Sequence, residues 1–387
     1  MARSEQERLK AIAKAAIAWF TEHHRDLPWR KTRDAYRIWI SECMLQQTQV
    51  ATVIPYYERF LDRFPDVHRL ASAQLDEVYQ LWAGLGYYRR ARQLHAAAIE
   101  IVESGQAPFP THRDAIAELP GIGRYTASAI ASFAFDQPCG IVEANTQRLY
   151  ARLIRCKEPQ SDSSTQRTLW EFAEAIVSAW PQPTGELNQS LMELGSQVCK
   201  PRDPACGDCP LREHCKAYRF GEIEQIPAAK PKKLITELRE IGLLISDSQG
   251  RWLLRRRHSG ERWAGLWDFP RYDCTEIESE SAALEFVAGE FHKLYGKRPE
   301  VGSQCMSVRH SVTRYRIVLR CFEARLEGRL KGRRKQSDSK LDSNSESDSG
   351  SYTEPEEFDW YTTEDLGNLA LSSSGRKVAD WLENRGS

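Results

Sequence analysis

Cys199-Lys200-Pro201-Arg202-Asp203-Pro204-Ala205-Cys206-Gly207-Asp208-Cys209-Pro210-Leu211-Arg212-Glu213-His214-Cys215 sets four cysteines within 17 residues. Four thiolates so spaced can wrap one tetrahedral or cubane centre. Zinc sites usually pair their ligands as two short C-x2-4-C knuckles far apart. Here only one short pair exists and the set is one compact loop, which suits a 4Fe–4S cluster, with zinc as the alternative. Lys200, Arg202, Arg212, Lys216 and Arg219 outnumber Asp203, Asp208 and Glu213, so the loop either touches phosphate or is a solvated charge mixture.

Upstream, Leu119-Pro120-Gly121-Ile122-Gly123-Arg124-Tyr125-Thr126-Ala127 reads as a helix ending near Leu119, a tight turn on two glycines, and a second helix opening at Arg124. Free amides at that helix start form an anion nest suited to a DNA phosphate. An ordinary helix–helix connection is the other reading. Residues 4–225 as a whole read as helical. Apolar residues recur at three and four spacings in Leu9-Ile12-Ala16-Trp19-Phe20 and in Val78-Leu81-Trp82-Leu85, and breakers stand at Pro28, Pro65, Pro108, Pro110, Pro120 and Pro138.

Residues 226–233 hold two prolines and three lysines and read as a linker. Beyond it, residues 238–245, 252–254 and 315–322 read as strands and 280–295 as a helix, so 234–387 form an α+β domain. Residues 335–352, dominated by Ser, Asp, Lys and Asn, bury too little apolar surface to offset their ordering entropy and read as a disordered insertion.

A chain of 387 residues fits two or three domains at roughly 100–200 residues each. With 41% hydrophobic and 28% charged residues it can build a packed core, which excludes collagen-like and wholly disordered classes. Basic and acidic residues balance at 54 each, which argues against binding by bulk charge and leaves a local basic groove open. The chain holds no run of eighteen apolar residues and its N-terminus shows no apolar signal core, so a cytoplasmic protein away from membranes is expected. Disulfides are disfavoured there. Cys43, Cys139, Cys156, Cys274, Cys305 and Cys321, scattered along the chain, then read as small buried hydrophobes.

Glu42 stands in Trp39-Ile40-Ser41-Glu42-Cys43-Met44-Leu45-Gln46-Gln47-Thr48-Gln49-Val50. A carboxyl group among apolar neighbours has its charged form disfavoured and can hold a proton near neutral pH. Alternatively, Ser41 caps a helix whose dipole stabilises Glu42 as an anion. Tyr87-Tyr88-Arg89-Arg90-Ala91-Arg92 mixes aromatics with arginines and no acid, as base stacking and phosphate binding need, or as the basic face of a helix shows.

The cysteine spacing and the hairpin resemble those of the endonuclease III-like helix–hairpin–helix superfamily of DNA glycosylases. The string from Ser41 to Val50 is close to one diagnostic of MutY-type A/G-specific adenine DNA glycosylases. Leu27-Pro28-Trp29-Arg30, the run from Gly84 to Arg92, Asn188-Gln189-x2-Met192-Glu193-Leu194-Gly195 and a Nudix-like C-terminal domain extend that resemblance over nearly the whole chain. It implies an all-α glycosylase domain over 1–225, with a helix–hairpin–helix at about 116–132 and a cluster loop at 199–215, then a Nudix-like lesion reader over 234–387. It also implies one 4Fe–4S cluster on Cys199, Cys206, Cys209 and Cys215. The partner is double-stranded DNA with adenine opposite 8-oxoguanine or guanine, and the products are adenine and an abasic site. A single working chain, nucleoid-associated and bacterial, is expected.

By the same resemblance Glu42 is the general acid that protonates adenine N7, and Tyr125 and Asn145 position the reacting groups and water. Arg25, Leu27, Trp29, Arg30 and Leu45 line the adenine pocket. Gln47 and Tyr87 fill the space around the extruded nucleotide, since base flipping demands a plug. Thr48 and Gln189 are further DNA contacts, and Gly121 and Gly123 belong to the phosphate-binding hairpin. Bifunctional members carry a lysine where Tyr125 stands. A tyrosine cannot form the Schiff base, so a monofunctional enzyme is implied.

Two departures matter. The family's Val-Asp-Gly-Asn is Val142-Glu143-Ala144-Asn145 here. Glu143 keeps the second carboxylate, which steadies the cationic sugar, but adds on the order of 1.3 Å of reach. Ala144 removes conformational freedom in the same turn. In the Nudix-like domain the acidic box G-x5-E-x7-R-E-x2-E-E-x-G is absent around Glu285 and Glu290, which points to recognition rather than pyrophosphate chemistry. The family's Phe-Ser-His lesion loop is replaced by Val312-Thr313-Arg314, in which Thr313 keeps a hydroxyl. Two rival functions stay open: a related mismatch glycosylase that takes another base, and a catalytically impaired DNA-binding homologue.

Overall fold

The computed structural model describes residues 3–228, 234–258, 260–312, 314–327, 330 and 357–385. The insertion expected at 335–352, most of the linker and Thr313 lie outside these residues. Contacts divide the chain into two compact units: Met1–Leu81 with Arg90–Lys232, and Trp82–Arg89 with Lys233–Ser387.

The first unit is helical throughout, as its 3.6-residue apolar periodicity demands. Its helices run α1 Arg3–His23, α2 Ala35–Leu45, α3 Val50–Arg63, α4 Val67–Ala71, α5 Leu75–Trp82, α6 Arg89–Glu103, α7 Arg113–Glu118, α8 Arg124–Phe135, α9 Ala144–Ile154, α10 Ser163–Ala179, α11 Thr184–Gln197 and α12 Lys216–Arg219. The last residue of α5, Trp82, and the first of α6, Arg89, fall by contacts to the other unit. Leu9, Ile12, Ala13 and Ala16 of α1 are buried in one core with Leu149 and Leu153 of α9, Leu169 and Ile176 of α10, Leu187, Leu191 and Leu194 of α11, Leu211 of the cysteine segment, Ala217 of α12 and Ile226. On the other side α2 packs against α3 and α8, and α8 against α7 and α11. Two glycines make these approaches possible. A Cβ on Gly195 would lie 2.7 Å from the carbonyl oxygen of Asn145, and one on Gly185 2.5 Å from that of Ser132.

The hairpin forms as expected. α7 stops before Leu119, Ile122 N–H donates to Leu119 O at 3.1 Å, Gly121 adopts φ 76°, and Gly123 is the N-cap of α8. Only Gly121 needs a glycine for its backbone, and its Cβ would also collide with Gln93. Open space surrounds Gly123.

The second unit joins β1 Thr236–Ile245, β2 Trp252–Arg256, β3 Trp267–Asp268, β4 Arg271–Asp273, α13 Glu280–Tyr295, β5 Glu300–Val312, β6 Tyr315–Arg325, β7 Phe358–Tyr361, α14 Thr363–Leu366 and α15 Ser373–Arg385. One sheet has the order β4-β1-β6-β5 and the other β3-β2-β7; β1 and β6 run parallel and the other pairs antiparallel. Ile241, Leu243 and Ile245 face Val287 and Phe291 of α13, while Leu244 faces Val378 and Leu382 of α15. The second half of β1, Ile241-Gly242-Leu243-Leu244-Ile245, is therefore covered on both sides and reads as an unbroken apolar run. The acids of α13 are spent on separate ion pairs: Glu280 with Arg320, Glu285 with Arg298 and Glu290 with Lys293.

Candidate active site

α2 begins at Ala35, where Asp34 caps it by accepting from Arg37 N–H at 3.1 Å. Ser41 is therefore no cap, and its hydroxyl donates to Ile38 O at 2.7 Å. Glu42 lies in the C-terminal half of the helix, which overturns the reading of it as an anion held by a positive helix end. It is 5% exposed. Burial pushes its carboxyl up to about 7, a bond from Tyr125 pulls down, the Glu143 charge pushes up, and Arg30 pulls down. Tyr125 O–H donates to Glu42 Oε2 at 2.6 Å. The hairpin thus delivers the first turn of α8 to the acid.

Glu143 is the N-cap of α9. Its carboxylate accepts from Thr146 N–H at 2.8 Å, Asn145 N–H at 2.8 Å and Asn145 Nδ2 at 3.2 Å, while its own N–H donates to Thr146 Oγ1 at 2.8 Å. The extra methylene lets the side chain curl back onto its own helix start, where shorter residues are usual. Burial pushes its pKa up, against the pull of those donors and of Arg148. Ala144 opens α9 with ordinary helical backbone, so the loss of glycine there carries no strain.

On α11, Glu193 is 1% exposed. Arg25 grips it with Nε at 2.8 Å, Nη2 at 2.7 Å and its backbone N–H at 3.1 Å, and Arg30 adds Nη2 at 2.8 Å. Burial alone would raise this carboxyl, but the guanidinium bonds outweigh it and hold it near 2.

A cavity of about 770 Å3 collects these groups. Glu42, Glu143, Tyr125, Asn145, Arg25, Leu27, Trp29, Arg30, Leu45, Gln47, Thr48 and Gln189 all line it. Tyr87 does not; it is 46% exposed with φ 51°. Gly121 and Gly123 also stand outside the lining. Glu193, Gln46 and Ser196 line the cavity without having been singled out. Glu193 belongs to a matching string, yet nothing in that string announces that Arg25 and Arg30 converge on it from more than 160 residues away.

Cys199, Cys206, Cys209 and Cys215 line a second, apolar cavity with Leu149, Leu153, Val198, Leu211 and Ile223. Among the described residues no three His, Cys, Asp or Glu side chains are gathered as ligands of one metal ion. Arg152 closes the cavity at 1% exposure. It donates to the carbonyls of Ile226, Lys200 and Pro201 and to Cys199 Sγ at 3.3 Å. These acceptors include no carboxylate, although a buried cation calls for a negative partner. Of the other cysteines Cys43, Cys139, Cys274 and Cys321 are buried, and Cys156 and Cys305 are partly exposed.

Residues 40–175 match the HhH-GPD superfamily of base excision DNA repair proteins, and residues 241–381 match the NUDIX domain. The mouse adenine DNA glycosylase is 31% identical over 95% of this chain and 77% of its own length. The rat and human adenine DNA glycosylases are 44% and 42% identical over 57% of this chain, which spans 44% and 41% of their lengths. One from Buchnera aphidicola (Schizaphis graminum) is 36% identical over 68% of this chain and 75% of its own length. A thermostable thymine-DNA glycosylase of solved structure aligns at TM-score 0.51 and 27% identity over 56% of this chain and 99% of its own. Relatives occur in mouse, Arabidopsis and fission yeast as well as in Buchnera, so the expectation of a bacterial protein is not borne out. No helix among the described residues is long and apolar enough to cross a membrane.

Proposed function

The chain belongs to the adenine DNA glycosylases, enzymes of base excision repair, and from that premise we propose that it hydrolyses the N-glycosidic bond of adenine paired with 8-oxoguanine or guanine in duplex DNA. It acts as a single chain. The observation that carries this reading is a buried carboxyl group with its pKa near 7, bonded to a tyrosine inside a cavity that also holds a second carboxylate.

In the proposed reaction, protonated Glu42 gives its proton to adenine N7. The C1′–N9 bond breaks with its electron pair going to the base, which departs neutral rather than as a poor anionic leaving group. The Glu143 carboxylate, which accepts from Asn145 and Thr146, stabilises the positive charge on the sugar. Asn145 and Tyr125 orient the water that adds to C1′, and Glu42 takes the water's proton, returning to its starting state. Tyr125 offers no amine, so the strand stays intact. Leu27, Trp29 and the Arg25–Glu193–Arg30 cluster bound the base, and Gln47, Thr48 and Gln189 contact the duplex. Gly121 and Gly123 with the start of α8 hold a phosphate, and Tyr87 stacks at the lesion. The second unit, through Thr313, reads the opposite base.

The four cysteines fit a 4Fe–4S cluster: a pure thiolate donor set, an apolar enclosure, and a buried Arg152 whose charge a net negative cluster would balance. Bound there, the cluster would tie the segment from Cys199 to Cys215 onto α9. Single-turnover base release from A·8-oxoguanine, A·G and T·G duplexes tests the whole reading. Adenine release from the first two is expected; thymine release alone, or tight binding to A·8-oxoguanine with no release, overturns it.

A further inference from the structure

The side chain that joins the helix of Glu42 to the loop beyond it has no role in the reaction above. Arg90 stands in the first turn of α6 and is 9% exposed. Its Nη1 donates to the carbonyls of Cys43 at 3.0 Å, Met44 at 2.8 Å and Gln46, and its Nη2 donates to Thr48 Oγ1 at 3.2 Å. The last four carbonyls of a helix have no partner within it. α2 ends at Leu45, so the guanidinium satisfies two of them and sits at the negative end of the helix dipole. The same group then holds residues 46 and 48. Gln47, between those anchors, adopts φ 58°. A non-glycine residue keeps that left-handed conformation only where its surroundings over-determine it. Leu45, Gln46, Gln47 and Thr48 all line the cavity with Glu42.

We infer that Arg90 is a positioning residue: by clamping the end of α2 and both flanks of Gln47 it presets the loop that occupies the duplex when the adenine is turned out. The inference rests on the reading of this cavity as an adenine glycosylase site. Lysine cannot substitute fully, because one ammonium on a flexible stem does not reproduce a planar fork that spans acceptors on four residues.

The test compares full-length wild type with Arg90→Lys and Arg90→Gln. A duplex carrying 2-aminopurine opposite 8-oxoguanine reports base eversion by fluorescence, and single-turnover adenine release is followed across neutral pH. At saturating DNA, eversion and release are expected to fall together by on the order of 10- to 100-fold, glutamine more than lysine, with the pH midpoint unmoved. Unchanged eversion and release in variants that melt like wild type overturn the inference. Lost release with intact eversion, or a displaced midpoint, also overturns it, because Arg90 would then act on the acid. Should both variants melt early, eversion and release are compared with wild type at a temperature where all three are fully folded: a joint loss there supports the inference, and no loss sinks it. A wild type that releases no adenine fails the site reading and this inference with it. An active wild type matched by its variants fails the inference alone.

Discussion

Glu42 on α2 and Glu193 on α11 face the same cavity at nearly the same depth, yet they hold protons oppositely. Burial destabilises both anions. Glu42 has one neutral hydroxyl as partner and rises to about 7; Glu193 has two guanidiniums and falls to about 2. Partner chemistry, not depth, decides which wall donates a proton and which keeps a fixed charge. Acid–base division of labour within one cavity is usually arranged in this way.

The sharpest way to break this contrast is Glu42→Gln. Single-turnover adenine release is expected to fall by roughly 10²- to 10⁴-fold, the usual contribution of a positioned acid, with DNA affinity retained in a binding titration. An unchanged rate removes the acid from the α2 wall. In wild type the acid must be protonated, so release should decline as pH rises through about 7. The stability effect has its own sign. A carboxyl whose folded pKa lies above its unfolded value binds extra protons when folded, so stability falls as pH rises from about 4.3 through 7. Glu42→Gln should thus be more stable than wild type above pH 7, by on the order of 1–3 kcal/mol in urea titrations, and lose that advantage in acid.

Glu193→Gln should act the other way and somewhat more weakly on rate. It leaves two guanidiniums beside a neutral amide and is expected to cost about 2–3 kcal/mol at neutral pH, less than a fully buried pair because Arg25 is one-third exposed. Its folded pKa is depressed, so the stabilisation is complete above about 4.3 and is lost as pH falls toward 2. Acid titration of the variant should show a shallower loss; an equal slope would detach the arginines from this carboxylate.

A smaller effect is expected from Gly195→Ala. The added methyl group meets Asn145 within 3 Å, displaces the start of α9 and so moves Glu143 without touching Glu42. Release should slow by roughly tenfold, and the pH midpoint should shift with the position of the Glu143 charge, which pushes Glu42 up; an unslowed release would mean that the start of α9 does not set where Glu143 sits. The least effect belongs to Glu143→Asp, which keeps charge and cap. Release within about tenfold of wild type and a melting shift of a few degrees are expected; a larger loss would show that the longer side chain is required.

The helical unit was legible because its signals are local. Periodic apolar residues fixed the character of α1, and Gly121 and Gly123 marked the turn before α8. Most candidate site residues fell on one cavity because a resemblance supplied residues that periodicity cannot supply. The second half of β1, covered on both faces, and α13, which runs Glu280–Tyr295 as expected, were also legible. β5 was not. It is an exposed edge strand with register shifts near Gln304, and its residues do not alternate cleanly between apolar and polar. Glu193 escaped because its meaning lies in partners far away in sequence, and Arg90 because three of the acceptors named for it are backbone carbonyls, which leave no trace in side-chain chemistry.

One packing relation bears on how the chain is made. Leu9 and Ile12 of α1 are buried against Leu191, Leu211 and Ile226, and Arg8 donates to the carbonyls of Leu153 and His214. On the ribosome the first helix therefore emerges long before the partners that shelter it, and its oily stripe must wait for them. Nascent chains arrested before Cys199 should leave that helix open to protease, and chains extended past Ile226 should close over it.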